Sequence, residues 1–146
     1  MSERFVLVDT SFLVALVDEK DSLHRKAQKL KGHLTGRALV FTDVVYAEAI
    51  SVMSRRVRER RSISVEEKGL FFATVVKKMK ALIDGRLLYL FPMVPEWLEK
   101  ITQICLDSEG RLNFNDALLV FAARDYEIDS IVSFDPDFDQ YLERIG

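Results

Sequence analysis

Four acidic residues, far apart in the chain, sit where an apolar strand or helix carries them inward: Asp9, Glu48, Asp116 and Asp135. Asp9 closes the apolar run that begins at Phe5. Glu48 lies in the helical stretch from Asp43 and shares a face with Val44, Val45 and Val52 on a 3.6-residue period. Asp116 opens Asn115-Asp116-Ala117-Leu118-Leu119 and shares a face with Leu119, Val120 and Ala123. Asp135 follows Ile131-Val132-Ser133-Phe134. Carboxylates are almost never fully buried unless paired or bound to a metal. Several of them converging repel one another, and a hard divalent cation is the simplest means of holding them together. The chemistry this implies is metal-dependent.

Each acid also has a plainer reading. Asp9 can simply start the helix that follows, since Asp is a good N-cap. Ser11, two residues on, can support a metal or water through its hydroxyl or bond the helix backbone. Glu48 can snorkel out from a core-facing stripe. Asp116 suits the first turn of a helix, where the macrodipole favours a carboxylate; Asn115 is an equally good cap and leaves Asp116 freer. Asp135 before Pro136 is a standard helix start. Asp137 and Asp139 read as solvated first-turn acids. The conjunction of the four, and no single position, carries the functional reading.

The elements that must position them alternate. Phe5–Val8 reads as a strand buried on both faces. Thr10–Val17 reads as a short helix, and Ser22–Leu34 as a second, with Leu23, Ala27, Leu30 and Leu34 on one face. Ala38–Phe41 is a strand, with Thr42 or Asp43 capping a helix that runs towards Arg60. Ser64-Val65-Glu66-Glu67 is a capping box that opens a helix to about Ile83, ended by Asp84-Gly85. Leu87–Phe91 is a third strand, and Pro95 starts a helix to about Asp107. After a loop at 108–114, Asn115–Tyr126 is a helix, Ser130–Ser133 a fourth strand, and Asp135 starts a last short helix. Strands alternating with helices imply an α/β fold with a parallel sheet covered on both faces. Ligands in such sheets gather at the carboxyl ends of the strands, where Asp9 and Asp135 fall.

Composition bounds the alternatives. The 146 residues suggest one domain, 1–146, large enough to bury a core without disulfides. The net charge of −2 gives no global basic field, so a nucleic acid must meet a local patch. The single cysteine, Cys105, forms no intramolecular disulfide and reads as a small hydrophobe on a helix. His24 and His33 lie in a lysine-rich helix and lack a zinc partner set. Residues 5–17 are too short to span a bilayer, Asp9 interrupts them, and no small-residue cleavage site follows. The expected location is the cytoplasm.

Val8-Asp9-Thr10-Ser11, Ala47-Glu48-Ala49-Ile50, Asn115-Asp116-Ala117-Leu118-Leu119 followed by Ala122-Ala123, and Ser133-Phe134-Asp135-Pro136-Asp137-Phe138 together resemble the PIN-domain nucleases. Within that family they are most similar to the VapC-type toxins of toxin–antitoxin pairs. The four motifs fall in family order over nearly the whole chain. Ser133 stands where the family often has Thr, which keeps the hydroxyl. The segment Phe91–Leu112 carries no matching motif. The resemblance implies a three-layer α/β/α sandwich with a central parallel sheet of four or five strands. It implies a pocket in which Asp9, Glu48, Asp116 and Asp135 bind Mg²⁺ or Mn²⁺, with Ser11 and Ser133 as polar support. It further implies endonucleolytic hydrolysis of RNA, a homodimer and a small antitoxin partner. The residues fit that chemistry independently: a phosphodiester approaches an acidic pocket only through cations, and a metal can generate the nucleophile from water without a histidine or cysteine base.

Two other functions stand beside this one. A non-catalytic PIN-like module would bind RNA or a protein through the same surface. A phosphotransferase that forms an aspartyl-phosphate on Asp9 would want a second Asp two residues on, where this chain has Ser11, and a lysine beside the strand-end motifs. Two further features bear on partners. Arg55-Arg56-Val57-Arg58-Glu59-Arg60-Arg61 holds five arginines in seven residues, and Arg55, Arg56 and Arg58 are expected to grip RNA. A solvated basic helix end is the plainer account. The helix Ser64–Ile83 carries Leu70, Phe71, Phe72, Val75, Val76, Met79, Leu82 and Ile83, a stripe wider than one sheet face needs, which suggests a homodimer interface or a thick core.

Overall fold

The computed structural model describes residues 4–88, 90 and 93–146. Five strands form one sheet: β1 (Phe5–Val8), β2 (Ala38–Thr42), β3 (Leu87–Leu88), β4 (Ser130–Val132) and β5 (Glu143–Ile145). Their order is β3-β2-β1-β4-β5, and every pairing is parallel. The helices are α1 (Thr10–Val17), α2 (His24–His33), α3 (Asp43–Glu59), α4 (Val65–Ile83), α5 (Pro95–Asp107) and α6 (Phe114–Asp125). A 3₁₀ turn covers Pro136–Gln140. This is the expected α/β/α arrangement. The expected third strand to Phe91 appears only as Leu87–Leu88, and residues 89 and 91 lie outside the described residues.

The order of strands explains the site's location. From β1 the chain moves outward to β2 and then β3, crossing over through α1–α2 and α3–α4. It then returns through α5 and α6 to β4, on the other side of β1. Right-handed crossovers in opposite directions put the two helix groups on opposite faces. The packing agrees: α1 touches α2, α3 and α4, and α5 packs on α6. The reversal leaves a crevice at the carboxyl ends of β1 and β4, the topological switch point of the sheet. There the amide of Asp9 donates to the carbonyl of Val132 at 3.1 Å, extending the ladder to the first acid.

The strands are held rigidly. Val6, Leu7 and Val8 are wholly buried, as are Ile131 and Val132, because helices cover both faces. Phe12 and Leu13 of α1, Phe41, Met53, Met79 and Leu118 fill the same core. On α3 the buried stripe is Val45, Ala49, Met53 and Val57, at four-residue spacing. The adjacent stripe, Glu48, Val52, Arg55 and Arg56, is thereby turned towards the crevice.

Three local differences from the sequence reading have physical causes. The last helix begins at Phe114 and its cap is Asn113, whose Oδ1 accepts from the amide of Asp116 at 2.9 Å; Asn115 is therefore not the cap. Helix α2 begins at His24 rather than Ser22, because Asp21 Oδ1 accepts from the Leu23 amide at 2.8 Å and holds residues 21–23 in a turn. The strand β5 carries no apolar run. It forms because the 3₁₀ turn delivers residues 143–145 to the open edge of β4, where the Ser133 amide donates to Ile145 at 3.0 Å.

The helix that carries Glu48 starts on a buried cap. Thr42 is wholly buried and its Oγ1 accepts from the Val45 amide at 3.2 Å. Thr42→Ala is expected to lower the unfolding free energy by about 1 kcal/mol, measured by urea denaturation; a loss indistinguishable from zero would mean the cap does not anchor α3.

Candidate active site

A cleft of about 530 Å³ opens at the switch point, and Asp9, Glu48, Asp116 and Asp135 all line it, with Thr10, Ser11, Asn113, Arg55 and Arg56. A larger cavity of about 1050 Å³ lies at the amino ends of the strands, beside Phe5, Asp129 and Glu143, and holds none of the four acids.

Asp9 occupies the N-cap position of α1, yet its side chain does not cap that helix. Its Oδ2 instead accepts from the hydroxyls of Ser11, at 2.9 Å, and Ser133, at 2.7 Å. Each hydroxyl also accepts a backbone amide: Phe134 donates to Ser11 at 3.1 Å, and Asp135 to Ser133 at 3.0 Å. The two serines thus relay the position of the 133–135 segment to the carboxylate of Asp9. With its other role as cap unused, Asp9 keeps an oxygen for the cleft. Burial pushes its pKa up, against the lowering effect of the Ser133, Ser11 and Thr10 hydrogen bonds.

Asp135 does both things the sequence allowed. Its Oδ1 accepts from the Asp137 amide at 2.9 Å and starts the 3₁₀ turn, while its residue lines the cleft. Glu48 is held from α6: Nδ2 of Asn115 donates to its Oε2 at 2.7 Å. Asn115 is the site residue that sequence reasoning missed. Its signal was present, an amide beside a cleft aspartate, but the role was assigned to capping, which Asn113 performs.

Asp116 stands in the first turn of α6, with its carboxyl pushed up to about 7. Burial is the main cause, followed by repulsion from Asp9, Asp135 and Glu48. The four acids therefore feel one another across the cleft. Among the described residues, none of the four is ion-paired, and no three Asp, Glu, His or Cys side chains are gathered closely enough to cage one ion. The acids share a cleft without closing into a ligand shell. Their chemistry still fits a hard divalent cation: all four donors are carboxylate oxygens, Asp9 is buried, and none of the four is ion-paired among the described residues.

The arginine run divides. Arg55 is exposed and lines the cleft one helical stripe beyond Glu48. Arg56 lines it too, but its Nη1 is 2.8 Å from both Asp18 and Asp21, which makes it a structural clamp on the α1–α2 connection. Arg60 reaches Asp18 at 3.6 Å and covers the ring of Phe71 at 3.9 Å. Arg58 is exposed and does not line the cleft.

The PIN domain family profile matches residues 6–143. No curated protein matches the chain in sequence. Among solved structures, the chain is similar to VapC20 of Mycobacterium tuberculosis, described as a sarcin–ricin loop cleaving toxin. The TM-score is 0.71 at 20% identity, over 92% of this chain and 93% of that one. It is also similar to FitAcB of Neisseria gonorrhoeae, with a TM-score of 0.68 at 12% identity, over 97% and 96% of the two chains. VapBC2 of Rickettsia felis, bound to a DNA fragment from its promoter, gives 0.56 at 14% identity, over 97% of each chain. At such identities the likeness establishes the shared fold.

A carboxyl raised from its ordinary 3.8 to about 7 favours the folded state while protonated. That contribution is present below the ordinary value and is lost as pH rises through about 7. In metal-free buffer, Asp116→Asn mimics the neutral form and is expected to melt above the wild type at pH 8, with the gap closing towards pH 4. A variant that melts lower across the whole range would contradict the repulsion.

Proposed function

The chain belongs to the PIN domain family, and from that premise we propose that it is a metal-dependent endoribonuclease, the toxin of a toxin–antitoxin pair. The observation that supports this most is the convergence of Asp9, Glu48, Asp116 and Asp135, from four remote segments, on one cleft at the switch point. They would hold Mg²⁺ or Mn²⁺. Such an ion, when bound, neutralises the phosphodiester, lowers the pKa of water and stabilises the leaving oxygen.

The chain's own groups prepare for that. Ser11 and Ser133 donate to Asp9 and so favour its ionised form and fix its orientation. Asn115 restrains Glu48, a long side chain that otherwise samples many rotamers. Arg55 places positive charge at the rim, where an RNA phosphate must pass an otherwise acidic wall. Arg56 contributes there by charge while its position is set by Asp18 and Asp21. No lysine lines the cleft among the described residues, and Ser11 is engaged with Asp9, which disfavours an aspartyl-phosphate mechanism.

A small antitoxin and a second copy of the chain are the proposed protein partners, and the cytoplasm the proposed location. No helix among the described residues is long and apolar enough to cross a membrane. On α4, Val75, Met79 and Ile83 enter the core, so part of the wide stripe is absorbed there. Val65 and Leu70 of α4, and Leu98 and Leu106 of α5, stay exposed at 85%, 72%, 49% and 65%. The exposed Val65 and Leu70 lie on α4, the helix with the wide stripe, and are what supports a dimer through that helix.

Two measurements test the reading. Cleavage of single-stranded RNA is expected with Mg²⁺ or Mn²⁺ and to vanish in EDTA, and Asp116→Asn is expected to lose activity on the order of a hundredfold or more while staying folded. RNA that is bound but never cut, at any metal concentration, would favour a non-catalytic module. Sedimentation at micromolar concentration is expected to give a dimer that Leu70→Asp shifts to monomer; a wild-type monomer would remove the dimer.

A further inference from the structure

Helix α2 carries Arg25, Lys26, Lys29 and Lys31 and no acid, in a chain whose net charge is −2. None of the four is ion-paired among the described residues. Arg25 and Lys26 stand in the first turn, where cations oppose the helix macrodipole. Their placement therefore works against the helix that bears them.

The geometry ties this helix to the cleft. Leu23, the N-cap of α2, lines the cleft and is exposed. Lys26 follows it by three residues and so neighbours it on the helix surface, and Lys29 neighbours Lys26 one step further round. The ammonium of Lys26 lies 5.4 Å from the ring centre of Phe134. That ring packs tilted against Phe12, with centroids 6.1 Å apart, and the Phe134 amide donates to Ser11. Phe134 stands between Ser133 and Asp135. The cation is thus parked on the segment that brings Asp135 to the cleft and the Ser133 hydroxyl to Asp9. A cation–π contact at an exposed site is weak, so a phosphate can draw the ammonium away at little cost.

We propose that Lys26, continued by Lys29, holds the phosphates of a single-stranded RNA leaving the acidic cleft along α2, a second approach distinct from Arg55 on α3. The inference rests on the ribonuclease reading and adds the path of the strand. The placement of charge favours a flexible single strand: Arg55 lines the cleft from α3 while Lys26 and Lys29 stand beyond it on α2, and a single strand can bend between them.

The test is binding of a fluorescein-labelled single-stranded oligoribonucleotide, followed by anisotropy over a range of KCl with Ca²⁺ replacing Mg²⁺. Lys26→Gln/Lys29→Gln should weaken binding and flatten the plot of log affinity against log salt by roughly 1.4, about 0.7 per lost contact. Lys26→Arg should restore the Lys26 share. Lys26→Met keeps the hydrocarbon stem over Phe134 and removes only the charge, so it should behave as Lys26→Gln; a packing role would leave it at wild-type values and overturn the proposal. Lys31→Gln removes the same charge from another face and should leave the slope unchanged; an equal loss there would mean diffuse attraction and no path. If the wild type binds and Arg55→Gln weakens it while the double variant matches wild type, the α2 path is wrong and the ribonuclease reading stands. If the wild type binds no RNA, both fall.

Discussion

Repulsion among four carboxylates in one small cleft is the constraint on which the rest of this structure depends. A chain left to minimise its own folding free energy would spread these charges into solvent. Here each is brought back by an element with little freedom. Asp9 extends β1, whose Val6, Leu7 and Val8 are wholly buried, Asp135 follows its neighbour across the switch point, and Glu48 and Asp116 ride on helices packed into the core. The carboxyl of Asp116, pushed up to about 7 by burial and then by repulsion from the other three, carries the cost of that arrangement. Neutral partners, two serine hydroxyls and one asparagine amide, orient the acids without cancelling them. A salt bridge to any of the four would instead have cancelled the negative charge that the proposed cation needs.

Positive charge is kept close but separate. Arg56 and Arg60 neutralise Asp18, a buried acid outside the four, and so stiffen the connection between α1 and α2. Arg55 lines the rim and is not ion-paired among the described residues. A net-acidic chain can in this way offer a polyanion local attraction while leaving the acidic centre unpaired.

Much of this was legible in the sequence, and the limits follow from range. The elements around Asp9, Glu48 and Asp116 could be placed because their periodicity is local: an unbroken apolar run before Asp9, a four-residue stripe beside Glu48. The convergence of the four acids followed from alternating strands and helices and the rule for strand ends. What failed depended on a choice between equal neighbours or on contacts across the chain. Asn113 and Asn115 are both good caps, and only the start of α6 decides which is left to hold Glu48. The clamp of Asp18 and Asp21 on Arg56 spans over thirty residues and has no local signature. The strand at Glu143–Ile145 has no apolar run because it forms at a sheet edge whose position only the whole fold supplies.

The central claim is that the cleft is built for a divalent cation that the four acids share. Calorimetric titration of Mn²⁺ into the metal-free protein near pH 7 tests it most directly. Saturable binding is predicted, with a heat that varies with the buffer's ionisation enthalpy, because Asp116 must give up a proton on binding. Binding should disappear in Asp9→Asn. No saturable binding, or binding unchanged in Asp9→Asn, would contradict the account.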